Sequence, residues 1–251
     1  GRGLELSDVG RKIFSYADEI FSLGNELLKV TQHIDAVESQ PLHIGIADCV
    51  PKSIAYRVIE PILKFDNAIR LICKEGKLTN LLSEMSINRL DFVIADRPMP
   101  TNLNVRAHNH FLGESNLAVF GTKSLIQQHA GNPFPHMLNN ANFLIPGEDF
   151  TIRKKLIQWF ESIKVFPHIL AEFDDSALLK SFGQSGAGFF VAPNAIAEYI
   201  CKQYEVEIIG QIDTLHEQLY AITTERCLKH PAILLLIQST SKIYSENGHK
   251  N

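Results

Sequence analysis

Four short stretches carry residues of the right type and position to bind a small charged ligand. Two follow apolar runs in the first half of the chain: Asp48-Cys49-Val50-Pro51-Lys52 after Leu42–Ala47, and Asp96-Arg97-Pro98 after Phe92–Ala95. Two lie in the second half, Pro146-Gly147-Glu148 and Phe173-Asp174-Asp175. Ligands of parallel α/β sheets bind beyond the carboxyl ends of the strands. The candidate binding set is therefore Asp48, Cys49, Lys52, Asp96, Arg97, Pro146, Gly147, Phe173 and Asp174. Two chemistries are open. Asp48 and Asp96 could offer carboxylate oxygens to a hard cation such as sodium. Lys52 and Arg97, with the helix N-termini that follow such turns, suit a carboxylate instead. The plain alternative is that the two acids pair with Lys52 and Arg97 or cap turns. Asp174 and Asp175 read first as a helix N-cap.

Other chemistries have weaker support. His108-Asn109-His110 sets two imidazoles at strand spacing, but only Glu114 follows nearby, so a solvated loop is the expected reading. Gly183, Gly186 and Gly188 precede a strand, which suits a tight helix-to-strand turn and not a phosphate loop. Cys49, at the start of a helix, could serve as a redox sensor, since thiol pKa values fall there. Cys49, Cys73, Cys201 and Cys227 are scattered without a CxxC and read as reduced thiols, not as a disulfide framework or a zinc site. With no GxSxG elbow and no nucleophile, metal or cofactor motif, the chain is not read as an enzyme.

The elements that must position these turns alternate between strand and helix. In the first block, strands at 42–47, 68–73 and 92–95 enclose helices at 54–65 and 78–85. In the second, strands at 143–145, 168–173, 188–191 and 206–209 enclose helices at 152–163, 176–182 and 194–201. Such alternation implies parallel sheets with helices on their faces. Segments 116–120 and 218–222 could join the blocks, and a final helix at 232–244 would return to the first. The expected architecture is two Rossmann-like α/β lobes joined by two crossover segments, with residues 42–115 and 223–251 in lobe I and 116–222 in lobe II. The cleft between the lobes is the default ligand site.

A helix precedes this body. Leu6, Ile13, Ile20, Leu27 and Ile34 fall seven apart, and Val9, Tyr16, Leu23, Val30 and Val37 fall three after each. This a/d repeat, with Ser7 as N-cap, predicts a linker helix over 7–38, about 45 Å long. Its stripe reads as narrow, with polar residues around it. Dimerisation is expected through Ile13, Tyr16, Ile20, Leu23, Leu27, Val30 and Ile34.

Composition bounds the function. The 251 residues are 45% hydrophobic and 21% charged, ordinary for a globular protein with a real core. Lys and Arg total 24 against 28 Asp and Glu, a net charge of −4 that argues against holding nucleic acid unaided. No apolar run approaches membrane-spanning length and no signal-peptide pattern opens the chain, so a cytoplasmic protein without a membrane partner is expected.

The opening Gly1-Arg2-Gly3-Leu4-Glu5-Leu6-Ser7-Asp8-Val9-Gly10-Arg11 resembles the end of the winged helix-turn-helix and the start of the linker helix in LysR-type transcriptional regulators. The layout beyond it resembles their effector-binding domain, which is like a type II periplasmic binding protein, over almost the whole chain. Tyr16-Ala17-Asp18, Ile46-Ala47-Asp48, Leu144-Ile145-Pro146-Gly147, Glu172-Phe173-Asp174-Asp175-Ser176-Ala177-Leu178 and Phe190-Val191-Ala192-Pro193 are similar, within that family, to activators of a sodium/proton antiporter gene. The resemblance implies that residues 1–6 end a DNA-binding module lying upstream, through which promoter DNA is bound. It implies a homodimer or tetramer in which strand 68–73 and helix 78–85 of one subunit meet the second lobe of another. RNA polymerase is a further possible partner. The implied effector is a sodium or lithium ion, with no other cofactor, acting in a stress response. The alternatives are a regulator answering to an organic anion, a free-standing solute-binding protein and, more remotely, a hinged α/β enzyme.

Overall fold

The computed structural model describes residues 41–65, 69–101 and 107–224, together with residues 7, 9, 10, 13, 14, 16, 17, 20, 21, 24, 231 and 233–237. The first lobe opens with β1 (Leu42–Ala47), α1 (Lys52–Phe65), β2 (Leu71–Gly76), α2 (Leu78–Ser86) and β3 (Phe92–Ala95). β1 runs parallel to β2 on one side and to β3 on the other, with Leu42 opposite Leu71 and Ile44 opposite Phe92. β3 is buried throughout, as an unbroken apolar run covered on both faces must be. α2 buries Leu78, Leu81, Leu82 and Met85, one stripe at helical spacing.

The chain then enters β4 (Ala107–Gly121), followed by α3 (Lys123–Gln128), β5 (Asn142–Pro146), α4 (Thr151–Ser162), β6 (His168–Phe173), α5 (Ser176–Gln184) and β7 (Phe190–Pro193). A 3-10 turn over His136–Leu138 precedes β5, and a second over Asn194–Ile196, α6 (Ala197–Tyr204) and β8 (Glu207–Thr224) follow β7. β5 and β6 pair in parallel. β5 also joins the chain just before β7, where Leu144 N donates to Phe189 O at 2.8 Å and Phe189 N to Asn142 O at 2.9 Å. Asp175 caps α5, its Oδ1 accepting from Leu178 N at 2.6 Å.

The crossings differ from the expected short segments. Segment 116–120 lies in the second half of β4, and segment 218–222 and all of 206–209 but residue 206 belong to β8. The two strands pair antiparallel from Ala107↔Thr224 to Gly121↔Glu207. One six-stranded sheet, in the order β2-β1-β3-β8-β4-β7, therefore runs through both lobes. It is mixed, not parallel as expected, because β3–β8, β4–β8 and β4–β7 are antiparallel. The lobe boundaries drawn at 115/116 and 222/223 fall inside these two strands. Polar residues such as His108, Asn109, Glu114, Asp213 and His216 broke the apolar pattern by which the strands would have been read at full length. His108-Asn109-His110 accordingly sits in β4, not in a loop, with His110 Nε2 2.9 Å from Thr223 Oγ1. The second strand is Leu71–Gly76, shifted from the expected 68–73, with residue 68 outside the described residues.

Alternation along β4 and β7 divides the interior in two. Ala118, Phe120 and Phe190 enter the cluster that contains β1 and β3. Leu117, Val119, Phe189 and Phe143 enter a second cluster with α4. Ile233 and Leu236 are buried in the first cluster, as a helix returning to lobe I requires. At the N-terminus, residues 9, 10, 13, 14, 16, 17, 20, 21 and 24 are helical. Ile13, Tyr16 and Ile20 are 63–69% exposed in the single chain, and Phe14 and Phe21 are equally open, so the stripe is wider than the strict repeat. Leu23, Leu27, Val30 and Ile34 lie outside the described residues.

Candidate functional site

The seam between the lobes is built around the start of α4. Phe150 stands at the N-cap and provides no side-chain cap. Asp96, in the turn after β3, does so from the other lobe: its Oδ2 accepts from Thr151 N at 3.2 Å and from the Thr151 hydroxyl. Asp96 is 6% exposed, and its Oδ1 has no hydrogen-bond partner, with Arg97 Nε standing 3.8 Å away. Arg97 Nη1 donates across the seam to Asp149 O at 2.8 Å, and Lys77 Nζ to Asp149 Oδ2 at 2.8 Å. Lys77 holds the Asp149 carboxyl below its ordinary value. Both partners are exposed, so this pair fixes geometry more than it stabilises.

Two cavities flank this contact. One of about 80 Å³ is lined by Asp48, Cys49, Lys77, Arg97, Phe150 and Asp174. The other, about 30 Å³, is lined by Cys49, Pro146, Phe150, Ser176, Lys180 and Glu217 among others. A wider groove of about 510 Å³ between α4 and β8, near Trp159 and His216, is open to solvent and holds none of these groups.

The smaller cavity concentrates buried charge. Lys180 sits on the inner face of α5, its ammonium donating to Ser176 Oγ at 3.3 Å. Burial pushes it down to about 8, against the opposing pull of Glu217 and Asp175. Burial, and then the Asp96 charge, push Glu217 on β8 up to about 8. Burial, followed by Asp96, also raises the Cys49 thiol. That is opposite to the lowering expected of a redox-active thiol at a helix start.

Glu217 yields a pH prediction. The folded chain holds its proton more tightly than the unfolded chain, whose value lies near 4.5. The resulting stabilisation is full below pH 4.5 and is lost as pH rises towards about 8. Lys180, lowered from 10.5, acts with the opposite sign, above about pH 8. Between pH 5 and 8 the melting temperature of the parent should therefore fall relative to that of Glu217→Gln, by several degrees at roughly 2–4 °C per kcal/mol. Melting curves that stay parallel over this range would refute the assignment.

The sequence-derived residues separate by location. Asp48, Cys49, Arg97 and Asp174 meet at the larger cavity, and Pro146 lines the smaller. Gly147 donates to Phe173 O at 2.7 Å, and a Cβ there would push the Asp174 carboxylate aside. Phe173 is core, packed on Phe182 with ring centroids 5.0 Å apart. Lys52 pairs with Glu75, not with Asp48. Asp96 lines neither cavity, and Asp48 lines only the larger. Among the described residues no group of three or more His, Cys, Asp or Glu is placed to hold a metal ion. Sequence reasoning missed Lys77, Asp149, Thr151, Lys180 and Glu217. One signal was available: Lys180 lies four residues after Ser176 and next to Leu179 on the apolar face of its helix.

Comparison with known proteins agrees with this architecture. The family described as LysR substrate binding domain matches residues 35–242. The Transcriptional activator protein NhaR of Escherichia coli (strain K12) is 33% identical over 234 residues, spanning 93% of this chain and 76% of that protein. A reduced form of OxyR from N. meningitidis superposes with a TM-score of 0.62 at 14% identity, covering 83% of this chain and 97% of that one. The effector binding domain of QuiR in complex with shikimate gives 0.60 at 10% identity, covering 83% and 99%. At such identities these two structures speak to the fold alone. Among the described residues no helix is long and apolar enough to cross a membrane. Family match, relative and fold together place this chain in the LysR substrate-binding domain family, the sensing part of LysR-type transcriptional regulators, which are not enzymes.

Proposed function

We propose that this chain is the effector-sensing and oligomerising region of a cytoplasmic LysR-type activator that answers to sodium or lithium and controls sodium/proton antiporter expression. The observation that carries the cation reading is Asp96, a buried carboxylate at the seam with one oxygen lacking any hydrogen-bond partner. Arg97 Nε meets this oxygen only at 3.8 Å and the Cys49 thiol lies beside the carboxylate, so a small cation is the group that would complete its coordination in this reading. Glu217, raised first by burial and then by the Asp96 charge, keeps its proton near neutral pH and leaves Asp96 as the charged carboxylate at the seam. Similarity to NhaR supports the same reading. In this proposal a winged helix-turn-helix upstream holds promoter DNA, the N-terminal helix pairs subunits into a dimer or tetramer, and RNA polymerase is the downstream partner.

The test is a thermal-shift titration with sodium, lithium, potassium and choline chlorides at one ionic strength and pH. Stabilisation by sodium and lithium alone is expected, because a ligand that binds only the folded state raises its melting temperature. Identical curves for all four salts would overturn the reading. Lys180 favours a second reading, an organic acid held by its ammonium and Ser176. Stabilisation by small carboxylates, and not by sodium, would select it. A chain that stays monomeric would instead favour a free-standing solute binder.

A further inference from the structure

The start of α4 favours negative charge yet has no acid of its own. Phe150 at the N-cap offers no side-chain acceptor, and the first turn, Thr151-Ile152-Arg153, holds no carboxylate. The free N–H groups of such a turn and the helix dipole together make a place for an anion. That place is filled from the other lobe. Asp96 Oδ2 accepts from Thr151 N at 3.2 Å and from the Thr151 hydroxyl, while Asp96 is 6% exposed and its Oδ1 has no hydrogen-bond partner. A Ser, Thr or Asp at position 150 would cap α4 locally, without burying a charge. The chain instead brings a carboxylate from 55 positions away and leaves half of it unpaired. Two more groups of lobe I reach the same loop. Arg97 Nη1 donates to Asp149 O and Lys77 Nζ to Asp149 Oδ2, each at 2.8 Å. Lobe I thus grips residues 149–151 through its own side chains.

We infer that Asp96 is a tethered anion, which fills the acid position at the start of α4, joins the lobes there and excludes free carboxylates from this end of the seam. Asp96 is thus a specificity-determining residue, and removing its carboxylate opens a site for a small free acid. The cap uses Oδ2 alone, so this role stands whether or not a cation binds Oδ1.

Asp96→Ala deletes a carboxylate group, and formate is that group as a free ion. The experiment is a thermal shift in choline formate against choline chloride, at equal ionic strength and neutral pH and without sodium. It compares the parent, Asp96→Ala and the double variant Asp96→Ala/Thr151→Pro. Proline at position 151 removes both the N–H and the hydroxyl, and the first position of a helix accepts it readily. About 200 mM formate should raise the melting temperature of Asp96→Ala by at least about 2 °C and leave the parent and the double variant within about 0.5 °C. An Asp96→Ala chain that folds in formate and not in chloride, as read by circular dichroism, would support the same role. A shift as large in the parent or the double variant as in Asp96→Ala, or an Asp96→Ala chain that formate neither stabilises nor restores, overturns the inference. None of these results touches the cation reading, which fails or holds on the sodium titration of the parent.

Discussion

Asp96→Asn is expected to keep the fold and weaken the sodium response. The asparagine carbonyl can still accept from Thr151 N and its hydroxyl, the two donors that Asp96 Oδ2 now satisfies. Its amide replaces the partnerless Oδ1 with a donor, and the negative charge is gone. The melting temperature without sodium should stay within about 2 °C of the parent, and the sodium midpoint should rise at least about tenfold, or 1.4 kcal/mol. Asp96→Ala separates the two roles. It strips α4 of the cap that Phe150 does not supply and leaves the Thr151 donors unsatisfied. Lost caps and unpaired buried donors cost about 2 kcal/mol together, so this variant should melt about 4–8 °C lower. An Asp96→Asn protein with the parent's sodium midpoint would remove Asp96 from the cation site.

Phe190→Ala should be the most damaging single change in the core. The ring is fully buried and stacks on Phe120 with centroids 5.4 Å apart. It also lies directly on the backbone of α5, where a Cβ added at Gly183 would collide with it. Removing a buried phenylalanine costs about 3–5 kcal/mol, here a fall in melting temperature of roughly 10 °C. Gly183→Ala alone should cost about 1–3 kcal/mol by overpacking. In the Phe190→Ala background the same change should cost little, because the methyl then enters the space the ring has left. Strictly additive losses would show that the contact between α5 and β7 is not the source of the cost. Since α5 carries Lys180, this packing also sets where the ammonium reaches.

Much of the α/β layout was legible because its strands are short and bounded by turn residues, and Phe92–Ala95 is wholly apolar. Phe92–Ala95 and His168–Phe173 fall where the pattern put them, and Asp175 caps its helix as its type and position required. β4 and β8 were read only in fragments because each changes surroundings along its length. Their outer stretches, such as His108-Asn109 and Asp213-Thr214, are polar and exposed, and their inner ones are core. The turns of the candidate site were legible from strand ends, which is why Asp48, Cys49 and Arg97 meet at one cavity. Lys180 and Glu217 were not. Charged residues are read as outward-facing, and only tertiary packing shows that Lys180 is buried and that Glu217 lines the same cavity. Likewise, nothing local to Asp96 announces that it caps a helix 55 positions away.

The pairing of β4 with β8 constrains how this molecule can move. Their register shifts at three places, between Phe111 and Gly113, Asn116 and Leu117, and Val119 and Phe120. At each bulge the ladder is locally broken, the strand bends and its right-handed twist increases. Any relative motion of the lobes must therefore bend or twist both strands together, because they are paired along the whole crossing.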